Sequence, residues 1–371
     1  MDSFASRTGL TSDRPPRRYL WTDAFAVCND LGLHRVTGER RHLERALALV
    51  DQVHHVLGRH RADDRREGWI SGLPERERSR RPTAGGLRIG KPLPERAPEE
   101  PPDPRREWDR DGQYYHYLTR WMHALDRVWR ATGDAAYHGW AVDLALAAHR
   151  RFRTAEGEPG LWWKMSIDLS RPLVRSSGHH DPLDGLLTTC SLMDGAPATG
   201  SAEPAPLHAV AEDLRAMCRD RSWATDDALG AGGLLVDAQR CHRLRGDLPF
   251  LDPAFREAVL HDATVSLEAV VASGLLRLPA PARLPFRELG LAVGVRAAER
   301  ILRESSADDD RSPEGFAGRT RARLRLHIHA ADRIERFWLR PEHRAAPGWR
   351  DHEDISDVML ATALEPSGYL D

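Results

Sequence analysis

Apolar residues recur along this chain at helical spacing, and the recurrence is broken at intervals by a glycine followed by an acid. Over residues 19–36 the apolar set Leu20, Ala24, Val27 and Leu31 falls at i, i+4, i+7 and i+11, the stripe of a helix that buries one face. The turn Thr37-Gly38-Glu39 follows, and a second stripe (Leu43, Leu47, Val50, His54, Leu57) runs over residues 41–59. The unit returns as 112–131, Thr132-Gly133-Asp134 and 135–152, then as 226–244, Arg245-Gly246-Asp247 and 253–271. Glycine suits the position after a helix because the left-handed conformation costs it little. Two further hairpins are predicted, 182–192 with 206–219 and 285–304 with 313–339, and a last helix over 355–363.

That is about eleven helices with scarcely any alternating β-branched run, so the chain is expected to be all-α. A hairpin of this kind buries its faces only against neighbours, and a series of them extends as a solenoid or closes into a ring. The spacing is too irregular for the roughly 34–47-residue period of a TPR or HEAT array, which favours a single α/α toroid of eleven to twelve helices over residues 1–371. Residues 60–107 form its one long excursion. They are rich in Pro, Arg and Glu, but Trp69, Ile70, Leu87 and Ile89 punctuate them. An ordered rim loop is therefore expected rather than a linker.

Composition excludes several classes. With 54 basic against 56 acidic residues there is no basic field for nucleic acid. No run of about 18 apolar residues suggests a membrane span, and the N-terminus has no apolar core of a signal peptide. The four cysteines (Cys28, Cys190, Cys218, Cys241) have neither metal nor redox spacing, so a cytoplasmic location is expected. No cofactor and no metal is expected either. The stretch from Gly85 to Lys91 fits GxxxxGK, but Pro92 stands where a Ser or Thr would bind magnesium. His54, His55 and His60 lack a zinc spacing. Gly230, Gly232 and Gly233 lie within a helical pattern and fit close helix packing. Only Lys91 and Lys164 among the basic residues are lysine, which points to sites that need a compact ammonium.

The most informative pattern is positional. The first helix of nearly every hairpin opens with an aromatic or histidine residue followed by acid: Trp21-Thr22-Asp23, Trp108-Asp109-Arg110-Asp111, His179-His180-Asp181-Pro182-Leu183-Asp184, Trp223-Ala224-Thr225-Asp226-Asp227, Phe286-Arg287-Glu288 and Trp349-Arg350-Asp351-His352-Glu353-Asp354. Single acids there would serve as helix caps, worth about 0.3–1 kcal/mol through the dipole. Capping does not call for a tryptophan beside the acid, nor for two or three acids together. Aromatic plates with carboxylates suit a sugar, whose apolar face stacks while its hydroxyls are bonded.

The hairpin count, the Trp/Asp helix starts and the string from Trp108 to Gln113 resemble the six-hairpin glycosidase-like (α/α)6 barrels. These include glycoside hydrolases, unsaturated-glucuronyl hydrolases and the N-acylglucosamine 2-epimerase type. The resemblance is one of architecture over most of the chain, and it implies a sugar-like small-molecule substrate. A hydrolase would take its acid and base from different helix starts, Asp109 or Asp111 with Asp181 or Asp184. A separation of about 6.5–9.5 Å would invert the anomeric centre and about 5–5.5 Å would retain it. His180, oriented by Asp181, is a candidate base. Candidate substrate contacts are Trp108, Trp163, Lys164, His179, Tyr115, Asp226, Asp227, Glu288, His352 and Asp354. Opposed histidines, with His352 as the second base, would instead suit a sugar 2-epimerase. A lyase or cyclase of small-molecule biosynthesis and a non-catalytic ligand-binding barrel complete the alternatives.

Overall fold

The computed structural model describes residues 1–154, 159–197, 205–244, 248–304 and 316–371. Its long helices are α1 (Leu20–Thr37), α2 (Arg40–Leu57), α3 (Tyr115–Thr132), α4 (Ala135–Phe152), α5 (Asp181–Asp194), α6 (Ala205–Met217), α7 (Ala228–Arg243), α8 (Pro253–Ala272), α9 (Pro285–Glu304), α10 (Phe316–Arg325), α11 (Ala330–Trp338) and α12 (Glu353–Leu364). Three short antiparallel strands, β1 (Gln113–Tyr114), β2 (Lys164–Met165) and β3 (Pro172–Val174), form the one small sheet among the described residues. Two compact units result: residues 1–219, with α1 to α6 and the sheet, and residues 220–371, with α7 to α12.

The expected helix over 313–339 is in fact two, which supplies the twelfth helix. At 326–329 the chain leaves the α-helical ladder: the Leu326 and His327 amides donate to the carbonyls three residues back, of Arg323 and Leu324, each at 3.1 Å. Such i→i−3 bonds tighten the backbone and end the run. Residues 313–315 and the expected turn Arg245-Gly246-Asp247 lie outside the described residues.

Two hairpin turns share one construction. Gly38 and Gly133 both stand at φ 72°, and each donates its amide to the helix behind, to His34 O and Trp129 O at 2.8 Å. The preceding threonine works in both directions. Thr37 Oγ1 donates to Leu33 O at 2.7 Å and accepts the Glu39 amide at 3.1 Å. Thr132 Oγ1 donates to Val128 O at 2.8 Å and accepts the Asp134 amide at 3.2 Å. The Thr-Gly-acid string thus caps one helix and starts the next with a single set of bonds.

In the second unit α7 and α9 meet backbone to backbone. A β-carbon on Gly232 would run into the carbonyl of Gly290, and one on Gly294 into the backbone of Gly232. This is the close packing that the glycine-rich helix pattern implied. Helix α8 belongs to a stretch, Pro253–Arg277, with the length and mean hydropathy (1.4) of a spanning segment. Its buried residues Phe255, Val259, Ala263, Leu267 and Val270 lie at steps of four and three, the stripe of a helix packed on one face, here against α7.

The segment between α2 and α3 is ordered. Leu87 and Ile89 are fully buried. The Leu20 amide donates to Ile89 O at 3.1 Å, and the Ile89 amide to Gly112 O at 2.8 Å. The Gln113 side chain accepts the Leu87 amide at 2.9 Å and donates to Ile167 O at 2.6 Å. Arginine–carboxylate pairs hold the rest: Arg66 to Asp64, Glu95 and Asp168, and Arg96 to Glu107.

Candidate active site

In the first unit the starts of α1, α3 and α5 come together. Tyr19, the residue before α1, shares a 2.6 Å hydroxyl–hydroxyl hydrogen bond with Tyr117 of α3. His116, the second residue of α3, places Nδ1 3.8 Å from Oδ1 of Asp181, the first residue of α5. One turn further along both helices, Asp184 accepts hydrogen bonds from Thr119 Oγ1 and from Arg120 Nη1, the latter at 2.8 Å. Positions 116, 119 and 120 lie at i, i+3 and i+4, so one stripe of α3 addresses both carboxyls of α5.

Rings line this cluster. His116 is stacked over Tyr114 (5.4 Å between centroids, 25° between planes) and over Trp163 (6.4 Å, 10°). Trp163 in turn meets Trp108 edge-on at 5.3 Å. The series runs from fully buried Tyr114 to Trp108, which is 56% exposed.

Asp181 is the perturbed group. Burial raises its carboxyl from 3.8 to about 8, and the nearby Asp184 adds to the rise, against the opposing effect of Arg120. Its Oδ2 is buried without a hydrogen-bond partner, and a β-carbon on Gly178 would collide with the carboxyl. Burial, reinforced by the Arg120 charge, pushes the His116 imidazole down to about 4. Near pH 7 the pair is therefore a neutral carboxylic acid beside a neutral imidazole. A carboxyl held protonated by burial and a neighbouring negative charge is what a general acid requires.

Two candidates have other tasks. Asp111 is fully buried; its carboxylate accepts Arg88 at 2.8 Å, Arg61 at 3.4 Å and the Gly90 amide at 2.9 Å. It anchors the long loop and leaves no oxygen open to a substrate. Lys164 is likewise fully buried. Its Nζ donates to Glu107 O at 2.6 Å and Arg110 O at 2.8 Å. Burial lowers its ammonium to about 8, and the two carbonyls it clasps bracket Trp108 and Asp109. The residue holds the turn that presents a tryptophan, and makes no contact with solvent.

The remaining sequence-based candidates are placed as follows. Trp108 and Asp109 are exposed and Trp163 is half-buried. Tyr115 is core, edge-on to Phe152 at 5.4 Å, with its hydroxyl close to Gly185. His179 is exposed and its ring lies 4.7 Å from that of half-buried His180. In the second unit the starts of α7, α9 and α12 also converge, through the ion pair of Asp227 with Arg287 and the edge-on contact of Phe286 with His352 at 5.3 Å. Asp227 also caps α7, accepting the Gly230 amide at 2.8 Å. Glu288 is buried and taken up by Arg283 (2.8 Å) and the Trp338 indole N–H (2.9 Å). Asp226 and His352 are exposed, and Asp354 is half-buried. Tyr19, Tyr114, His116, Tyr117, Thr119 and Arg120 were not among the sequence candidates. The signal for the last four was a polar stripe at helical spacing on a helix otherwise read as core.

No protein-family model matches the sequence, and no curated protein matches it. Among solved structures the chain is similar to a cellobiose 2-epimerase from Spirochaeta thermophila DSM 6192, at 15% identity and a TM-score of 0.51, covering 95% of this chain and 87% of that one. It is similar to a sugar epimerase from a ruminal bacterium, at 10% identity and a TM-score of 0.52, covering 94% and 87%. It is also similar to a GH76 α-mannanase of Bacteroides thetaiotaomicron, at 10% identity and a TM-score of 0.52, covering 94% and 86%. The chain has the fold of these proteins, an α/α barrel, as the hairpin pattern implied.

Proposed function

We propose that the protein is a carbohydrate-active enzyme in which Asp181 transfers the proton, most simply as the general acid of a glycoside hydrolase. The observation that carries the reading is the buried Asp181 carboxyl, raised to about 8 with Oδ2 lacking a partner, beside a set of stacked rings. A neutral acid can protonate a departing glycosidic oxygen at neutral pH. Asp184, clamped by Thr119 and Arg120, supplies the neighbouring charge that keeps that proton in place. The barrel fold shared with an α-mannanase and with sugar epimerases supports a sugar substrate. The four cysteines are buried thiols, none in a disulfide, which suits the cytoplasm as the proposed location.

A sugar 2-epimerase is the second reading, favoured by the epimerases among the structural neighbours. Proton NMR in D2O separates the two. The protein is incubated with a panel of gluco- and manno-configured glycosides and free sugars, with Asp181→Asn as control. A hydrolase removes the linkage signal, and Asp181→Asn abolishes that loss. Deuterium entering at C2 of a free sugar with every linkage intact establishes the epimerase. Full linkage cleavage by Asp181→Asn would sink the assignment of the acid.

A further inference from the structure

An exposed tryptophan adds nothing to a core, yet the chain fixes Trp108 with care. The turn that carries it is clasped on both sides by the fully buried Lys164 ammonium, which donates to Glu107 O (2.6 Å) and Arg110 O (2.8 Å). Two flanking side chains are tied down as well. Glu107 is held by Arg96 at 2.6 Å and Arg110 by Glu100. Between these fixed points Trp108 stands 56% exposed, with exposed Asp109 beside it. Burying an ammonium is costly unless its donors are well used, and what this one secures is the position of an indole in water.

The indole is continuous with the acid. Trp108 meets Trp163 at 5.3 Å, Trp163 stacks with His116 at 6.4 Å, and His116 reaches Asp181 at 3.8 Å. An aromatic plate with a carboxylate next to it matches a sugar ring, whose C–H face covers the indole while a hydroxyl donates to the carboxylate.

We infer that Trp108 and Asp109 form an outer subsite for a second sugar, so that the substrate is an oligosaccharide rather than a free monosaccharide. The inference rests on the carbohydrate reading of Asp181, and it is tested by binding instead of turnover. Full-length protein is titrated calorimetrically with methyl glucoside, methyl mannoside, cellotetraose and mannotetraose, in the Asp181→Asn background to prevent consumption. One tetrasaccharide is expected to bind about tenfold more tightly than its methyl glycoside. Trp108→Ala should remove that advantage and leave the methyl glycoside unchanged, while Trp108→Phe restores most of it. Because Trp108 is exposed, the alanine variant keeps its fold. Equal tetrasaccharide affinity in Trp108→Ala, or no tetrasaccharide binding tighter than the methyl glycoside, overturns the subsite. Asp181-dependent turnover in the NMR assay would survive that result. Conversely, a subsite that binds while turnover ignores Asp181 refutes the catalytic reading alone.

Discussion

The Asp181 carboxyl should make the protein less stable as the pH rises. Its folded-state value, about 8, lies above its ordinary 3.8. Between those values the folded chain holds a proton that the unfolded chain has released, and stability falls with pH at about 1.4 kcal/mol per unit. The full contribution is present only below the unfolded value and is lost as the pH climbs through the folded one. Other shifted groups choose the window. His54, His60, His116, His138 and His149 are all held below 6.5, chiefly by burial, so each adds stability as the pH rises to about 7.5, equally in wild type and variant. Lys164, lowered to about 8, acts only above that. From pH 6.5 to 8 Asp181 alone should lower the unfolding free energy by about 1.7 kcal/mol, read as the difference between the wild type and Asp181→Asn. Asp181→Asn, an uncharged isostere of the protonated acid, lacks this loss, so it should gain steadily on the wild type over that range and outlast it at pH 8. Urea unfolding at several pH values, read by linear extrapolation, measures both. Parallel pH curves for the two proteins would refute the claim that this carboxyl is held neutral, and with it the basis of the proposed acid.

Two further outcomes follow from the packing. Gly232→Ala should cost about 2 kcal/mol or more, since the added methyl meets the Gly290 carbonyl rather than a side chain that can swing away; the urea midpoint of the variant measures it. Asp111→Asn leaves the Arg88 and Arg61 guanidinium groups without their buried counter-charge and should cost about 3 kcal/mol, with limited proteolysis cutting first within residues 61–107.

Helix positions were legible because each hairpin must turn an apolar stripe inward, and the stripe repeats whether or not its partner is known. The turns were legible too, because Thr37-Gly38-Glu39 and Thr132-Gly133-Asp134 close their bonds within a few residues. The split of α10 from α11 was not, since apolar spacing runs on through a turn made by shifted backbone bonds. At the site, the aromatic–acid helix starts drew attention to Asp181 and Asp184. What they could not tell was which acid was already committed. Asp111 meets arginines 23 and 50 residues away along the chain, and Lys164 meets carbonyls more than fifty residues away. Such pairings depend on the loop's path, which no local pattern records. A rotation of one residue also turns a helical side chain by about 100°, enough to exchange a core position for one facing substrate.

The loop between α2 and α3 is pinned at its middle by Leu87 and Ile89 and near its end by Asp111 and Gln113, while the turn bearing Trp108 is fastened separately by Lys164. Exposed turns that lie outside those fastenings and outside the arginine–carboxylate pairs can lengthen at little expense, since doubling a flexible loop costs only about 0.6 kcal/mol in closure entropy. Insertions there would reshape what the protein admits without touching the helices that hold Asp181. Substrate range and chemistry can thus diverge independently in descendants of this chain, and an engineer could graft new selectivity onto the loop while leaving the acid alone.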